Sequence, residues 1–116
     1  MSDQNLILAN GITGVVKTKG RSFVWVNNVF AKNFGYSISE LDGQSTRIIY
    51  SSNKAFNAFG KKIKGIDFSR GEILRDTIQL KRKDGSMGLF LIGGGPLRKG
   101  SDEAIWTSID VTKDKE

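Results

Sequence analysis

The chain of 116 residues has neither histidine nor cysteine, which removes most groups able to do covalent or metal-centred chemistry. Thiolate nucleophiles, disulfides, Cys/His zinc sites, imidazole bases and haem ligation by His or Cys all fall away. The carboxylates left for acid–base work within residues 11–100 are Glu40, Asp42, Asp67, Glu72, Asp76 and Asp84. Glu40 and Asp84 already have local duties, in a helix cap and a hairpin turn. No helical or strand spacing forces two of the others into one cleft, so the sequence does not read as an enzyme.

Basic groups are more numerous, with 18 Lys and Arg against 12 Asp and Glu and a net charge of +6. Residues 11–100 carry 16 basic and 6 acidic side chains (+10), whereas residues 101–116 carry 2 and 5 (−3). Lys61, Lys62, Lys64 and Arg70 form the densest cluster, with Phe68 nearby, and Lys81-Arg82-Lys83 form a second at a hairpin tip. A basic surface attracts nucleic acid, anionic lipid or an acidic protein face, and an ordinary solvated surface has the same composition. Neither cluster carries the Gly/aromatic pattern of single-strand RNA readers, which weighs against nucleic acid.

A mass of 12.8 kDa with 38% hydrophobic residues describes one globular domain, residues 1–116, with a modest core. No apolar run is long enough to span a membrane, so direct membrane insertion is not expected. The N-terminal decapeptide lacks a basic region followed by a long apolar stretch, and with the absent cysteines this predicts a cytoplasmic setting.

Short β-branched and aromatic runs predict strands over 13–18 and 22–27, with a turn at Thr18-Lys19-Gly20-Arg21. In the second of these strands both faces are apolar, so the pattern alone leaves its inward face open. Asn27 or Asn28 can cap a helix carrying Phe30 and Phe34 on one face, stopped by Gly35. Ser37-Ile38-Ser39-Glu40 is a capping box, and 45–50 and 52–64 read as further helical stretches. The pattern then shifts to a two-residue period. Residues 72–81 form a strand with Leu74, Ile78 and Leu80 on one face and Arg75, Thr77 and Gln79 on the other, Asp84-Gly85 turns the chain, and the strand at 87–92 is apolar on both faces. A last strand over 103–111 sets Ile105, Ile109 and Val111 opposite Trp106, Ser108 and Asp110. The order is two strands, a helical block, then an antiparallel meander of three: an α+β domain with helices over one sheet face. Such a sheet can enclose a small apolar cavity, with Gln79, Thr107 or Ser108 as nearby polar groups.

Gly93-Gly94-Gly95 is costly in backbone entropy and bares the local face. A bulge ending the strand is the favoured reading, and close approach of a ligand to the backbone is the other.

The arrangement resembles the PAS domain family over nearly the whole chain. The resemblance rests on Gly20 with Phe23-Val24-Trp25-Val26-Asn27, Phe30, Gly35-Tyr36-Ser37 with Glu40-Leu41-Gly43, Gly71-Glu72, Lys81-Arg82-Lys83-Asp84-Gly85, Pro96 and Ile109-Asp110-Val111-Thr112. It implies a PAS-like fold, a five-stranded antiparallel sheet in the order 2-1-5-4-3. It also implies a sensor or input domain of a signalling protein, with residues 1–10 as an N-terminal cap and 112–116 as the start of a linker. The linked output domain would be a histidine kinase, a diguanylate cyclase or a chemoreceptor. In the blue-light subclass a cysteine forms the flavin adduct; here Thr46 occupies that place, so no cysteinyl-flavin adduct can form. Non-covalent flavin or a small metabolite stays open.

Three functional readings follow. The first is a ligand sensor whose pocket or core comprises Phe30, Phe34, Ile48, Phe56, Phe59, Leu74, Ile78, Leu89, Leu91 and Trp106, with Asn27, Asp110 and Thr112 relaying the signal. The second is a ligand-free homodimerisation or docking module with a filled core. The third is weak nucleic-acid binding through an anion-binding surface of Lys61, Lys62, Lys64 and Arg70.

Overall fold

The computed structural model describes residues 13–67, 70–98 and 100–112. Strands β1 (Gly14–Lys19) and β2 (Ser22–Val26) are joined by Gly20 and Arg21, whose φ angles are 57° and 61°. Positive φ at both central residues is the signature of a type I′ turn, whose twist matches that of the strands it joins. The turn therefore sits one residue later than the sequence pattern suggests. Helices α1 (Asn28–Phe34) and α2 (Ile38–Leu41), a 3-10 turn (Thr46–Ile49) and α3 (Asn53–Ile63) follow. The chain closes with β3 (Leu74–Lys81), β4 (Met87–Pro96) and β5 (Glu103–Asp110). All neighbouring strands pair antiparallel, in the order β2-β1-β5-β4-β3.

The one register shift recorded in the sheet lies between β1 and β2, where Lys17 faces Trp25 but Thr18 faces Phe23. It solves a patterning problem. Phe23 and Val26 are three apart and strict alternation would put them on opposite faces. The bulge turns both inward and leaves Val24 and Trp25 outside, 47% and 54% exposed.

The glycine run, by contrast, makes no bulge that ends β4. The strand continues through it to Pro96, paired with β3 as far as Gly94 and with β5 throughout. What approaches the bare backbone is the protein itself. Gly94 has φ 134°, and a side chain there would run into the backbone of Ile105 and Trp106. A Cβ on Gly95 would lie 2.8 Å from Ile66.

Two chains of aromatic rings bury the inner face. Phe23, Phe30, Phe34 and Phe90 run in contact from β2 by way of α1 to β4, closing with Phe34 stacked on Phe90 at 4.5 Å. Phe56, Tyr50, Phe59 and Trp106 form the second chain, from α3 to β5, with Phe59 5.4 Å from Trp106. Leu41, Leu80 and Ile92 fill the remaining space.

Local capping positions these elements. Ser37 and Glu40 form the reciprocal box, and Glu40 also pairs with Lys83 at 2.6 Å. Ser45 and Ser52 cap the 3-10 turn and α3. Asn27 does most. Its Oδ1 accepts from Phe30 N and from Val15 N, both at 3.0 Å, and its Nδ2 donates to Thr13 O at 3.0 Å. One amide side chain thus ties the start of α1 to β1. Replacing Asn27 with Ala leaves two amides and a carbonyl without that partner. We expect a loss of about 2–3 kcal/mol in urea unfolding; Asn27→Asp should retain the cap and lose less. Equal stability of wild type and Asn27→Ala would show that the corner is held by packing alone.

Candidate functional site

Between the two aromatic chains the inner face holds a partly open cavity of about 280 Å³. Its wall is built from Phe23 and Phe30 on one side and Tyr50, Phe59 and Trp106 on the other, with Ile78, Leu80 and Ile92 from the sheet floor. The polar exceptions are Thr18, Arg21, Thr46, Tyr50 and Ser108, with Ser101, Asp102 and Lys64 also on the wall. Thr18 and Thr46 are buried at 5% and 8% exposure.

Two of these groups are left incomplete. Arg21 reaches from the β1–β2 turn to α3, where Nη1 donates to Phe56 O at 2.8 Å and the guanidinium lies 3.6 Å from the centre of the Phe56 ring. Its Nη2 is buried with no hydrogen-bond partner, and so is Ser108 Oγ. An unmatched buried donor costs free energy that a matched one does not. Burial pushes the Tyr50 phenol above its ordinary pKa, and the nearby Arg21 charge partly offsets this.

The sequence-predicted pocket residues divide. Phe30, Phe59, Ile78 and Trp106 line the cavity. Phe34 is fully buried against Phe90, and Ile48, Phe56 and Leu74 pack on the core beside it. Leu89 and Leu91 require correction. In β4 the buried side chains are Phe90 and Ile92, so Leu89 and Leu91 point to the outer face, and Leu91 is 41% exposed. Gln79 and Thr107 also face outward, leaving Ser108 as the inward polar group of the three. For a flavin the wall supplies no thiol and no side-chain amide, so the residues present do not fit a flavin-adduct site.

The residues that the resemblance suggests as a relay, Asn27, Asp110 and Thr112, fall in two places. Asn27 belongs to the β1–α1 corner described above. Asp110 and Thr112 meet at the end of β5, around a residue that sequence reasoning left in a solvated hairpin tip, Arg82. Arg82 Nη2 donates to Asp110 Oδ2 at 2.8 Å and to Thr112 Oγ1 at 3.3 Å, Nη1 to Ser86 Oγ at 3.3 Å and Nε to Asn33 O at 3.2 Å. The guanidinium lies 5.5 Å from the Phe90 ring centre, in space left open because residue 88 is glycine. Thr112 Oγ1 donates to Asp110 Oδ1 at 2.6 Å and accepts from Leu89 N at 3.0 Å. Desolvation opposes ionisation of Asp110, but the Thr112 and Arg82 hydrogen bonds outweigh it and lower the pKa. One arginine thereby joins the end of α1, the β3–β4 hairpin, β5 and the chain leaving it.

Lys61 and Lys62 stand exposed in the last turn of α3, with Lys64 following and Arg70 just before β3. Lys62 is paired with Asp76 at 2.5 Å. Cations at a helix C-terminus also offset its dipole, which gives the lysines a structural role. No group of three or more acidic side chains that could hold a metal occurs among the described residues. No helix among them is long and apolar enough to cross a membrane.

Comparison with known proteins covers fold and sequence together. The chain is 30% identical over 112 residues to the sensor protein TdiS of Thauera aromatica, covering 95% of this chain but only 20% of that protein. It superposes on the PAS domain of a LuxR-family transcriptional regulator from Burkholderia thailandensis, solved in complex with ethanol, with a TM-score of 0.79. Sequence identity there is 22%, over 96% of this chain and 98% of the other. A blue-light activated histidine kinase of Erythrobacter litoralis gives a TM-score of 0.73 at 18% identity, over 97% of this chain and 37% of that one. Residues 9–113 match the family model described as PAS domain. The cavity under a helical lid, the sheet order and this match agree, and the chain belongs to the PAS domain family of signal-transduction sensor modules.

Proposed function

We propose that this domain is a ligand-responsive input module that takes a small molecule into the cavity and passes the change along β5 to the chain beyond Thr112. The observation that carries this reading is the continuity of β5. Trp106 and Ser108 face the cavity, and two residues further on Asp110 holds Arg82 and Thr112. A ligand that moves Trp106 or Ser108 bears directly on that contact, and the exit of the chain can then switch between a held and a released arrangement. The likeness to a sensor protein and to a histidine kinase supports a kinase as the linked output domain. In a longer protein carrying this domain, Asp110→Ala should abolish the dependence of output on ligand. Unchanged output and unchanged ligand response would defeat the relay.

The network has its own pH signature. Because the Asp110 pKa is lowered on folding, its contribution to stability is present above the ordinary carboxylate range and is lost as pH falls through the folded-state value. Asp110→Asn should therefore be less stable than wild type at pH 7, and the gap should narrow in urea titrations below about pH 4. A gap independent of pH would mean that the charge does not matter.

The outer sheet face favours a homodimer as the assembly in which this module works. Trp25, Leu91 and Ile105 are exposed there, at 54%, 41% and 36%, an apolar surface that a second copy would cover. Sedimentation equilibrium should show a dimer that Trp25→Glu weakens; a wild-type monomer at high concentration would remove this reading.

A further inference from the structure

Arg21 is an unusual residue for its position. A two-residue turn with positive φ at both places favours glycine, asparagine or aspartate, and a long side chain in the left-handed region costs roughly 1 kcal/mol or more. Gly20 fits; Arg21, at φ 61°, does not. The strained backbone directs the side chain away from solvent, across the cavity wall to Phe56. A second feature accommodates it. Gly60 lies inside α3, where glycine is a poor helix former, and a Cβ there would lie 2.8 Å from Arg21 Nη1. Turn and helix both give up local stability to seat this guanidinium.

The seat leaves the charge uncompensated. Among the described residues the ion pairs are Lys17–Glu103, Lys62–Asp76, Arg82–Asp110 and Lys83–Glu40, and none engages Arg21. Nη1 is matched by the Phe56 carbonyl and the ring faces contribute cation–π attraction, but Nη2 is shielded from water and completes no hydrogen bond, although the Tyr50 phenol is a polar neighbour of the guanidinium. A buried guanidinium calls for an anion, and the form that suits its fork is a carboxylate. The rest of the wall is mainly aromatic and aliphatic, with Thr18, Thr46, Lys64, Ser101 and Asp102 as further polar groups, Asp102 making no ion pair with Arg21, and the second unmatched atom, Ser108 Oγ, lies on the same cavity.

We infer that the cavity takes a small organic anion, a monocarboxylate with an apolar body, whose carboxylate pairs with Arg21 while its body lies among Phe23, Phe59 and Trp106. This rests on the ligand-sensing reading above and names the class of ligand. Binding would supply the acceptor that Nη2 lacks and neutralise the charge in one step, so charge discriminates between ligands of equal shape.

Phenylacetate and its neutral isostere phenylacetamide separate the possibilities by titration calorimetry, using wild type and Arg21→Asn. Asparagine tolerates positive φ, so the turn should survive the change. The acid should bind wild type and lose at least about ten-fold in affinity in Arg21→Asn, with the amide binding both proteins alike. In wild type alone, the Arg21 guanidinium resonances should shift with the acid and not with the amide, which keeps the test open if the variant fails to fold. Equal binding of acid and amide to wild type, or an acid affinity unchanged in Arg21→Asn, would overturn the inference while leaving a ligand cavity in place. If neither compound binds and freshly purified protein carries no small molecule by mass spectrometry, the sensing reading falls with it.

Discussion

A sheet with one covered face must bury that face with whatever its helices bring. Here they bring little: seven, four and eleven residues in the α-helices and a four-residue 3-10 turn. Short helices carry few side chains, so the burial falls to aromatic rings, which bring the most apolar area per residue. The rings gather in two groups, one around Phe30 and Phe34 of α1 and one around Phe56 and Phe59 of α3. Between them the wall does not close. The cavity is therefore a consequence of how the lid is built, and a residue projecting into it from a turn finds space that a thicker helical layer would have filled.

Much of the architecture was legible in the sequence. The period-two runs located β3 and β5 to within two residues, and the Ser37–Glu40 box and the Asn27 cap appear as drawn from their residue types. The departures have a common cause. Where a strand is apolar on both faces, hydrophobicity cannot say which face turns inward. Phe23 and Val26 share a face through a bulge that no composition signal marks. Leu89 and Leu91 face outward because Phe90 and Ile92, larger or better placed for the Phe34 stack, take the interior. The glycine run suggests a bulge that ends the strand, yet the ladder continues through it, and a Cβ at Gly94 would meet the backbone of β5.

The site was less legible than the fold. Carboxylates and aromatics drew attention, whereas the residues that organise both ends of the domain are arginines in turns. Arg21 reads only as a turn residue and Arg82 as part of a basic hairpin tip, and charges in turns are normally solvated. The available signal was positional. Arg21 occupies the second place of a tight turn that begins with Gly20, and Arg82 is followed within six residues by Gly88, whose missing side chain leaves it room. A charge beside a glycine that the backbone does not otherwise need points to a buried guanidinium.

The bulge in β2 has a consequence for how copies of this domain can meet. A strand at the margin of a sheet exposes unpaired amides and carbonyls, a template for strand addition and fibre growth. At the start of β2 that template is already engaged: Phe23 N bonds to Gln44 O, Gly43 N to Phe23 O and Thr46 N to Arg21 O, while the bulge coils the margin away from flatness. At the opposite margin β3 carries Arg75, Asp76 and Lys81, whose desolvation would burden any added strand. Growth by edge-to-edge templating is blocked on one side and discouraged on the other, so the sheet can be short, glycine-rich and aromatic without being amyloid-prone.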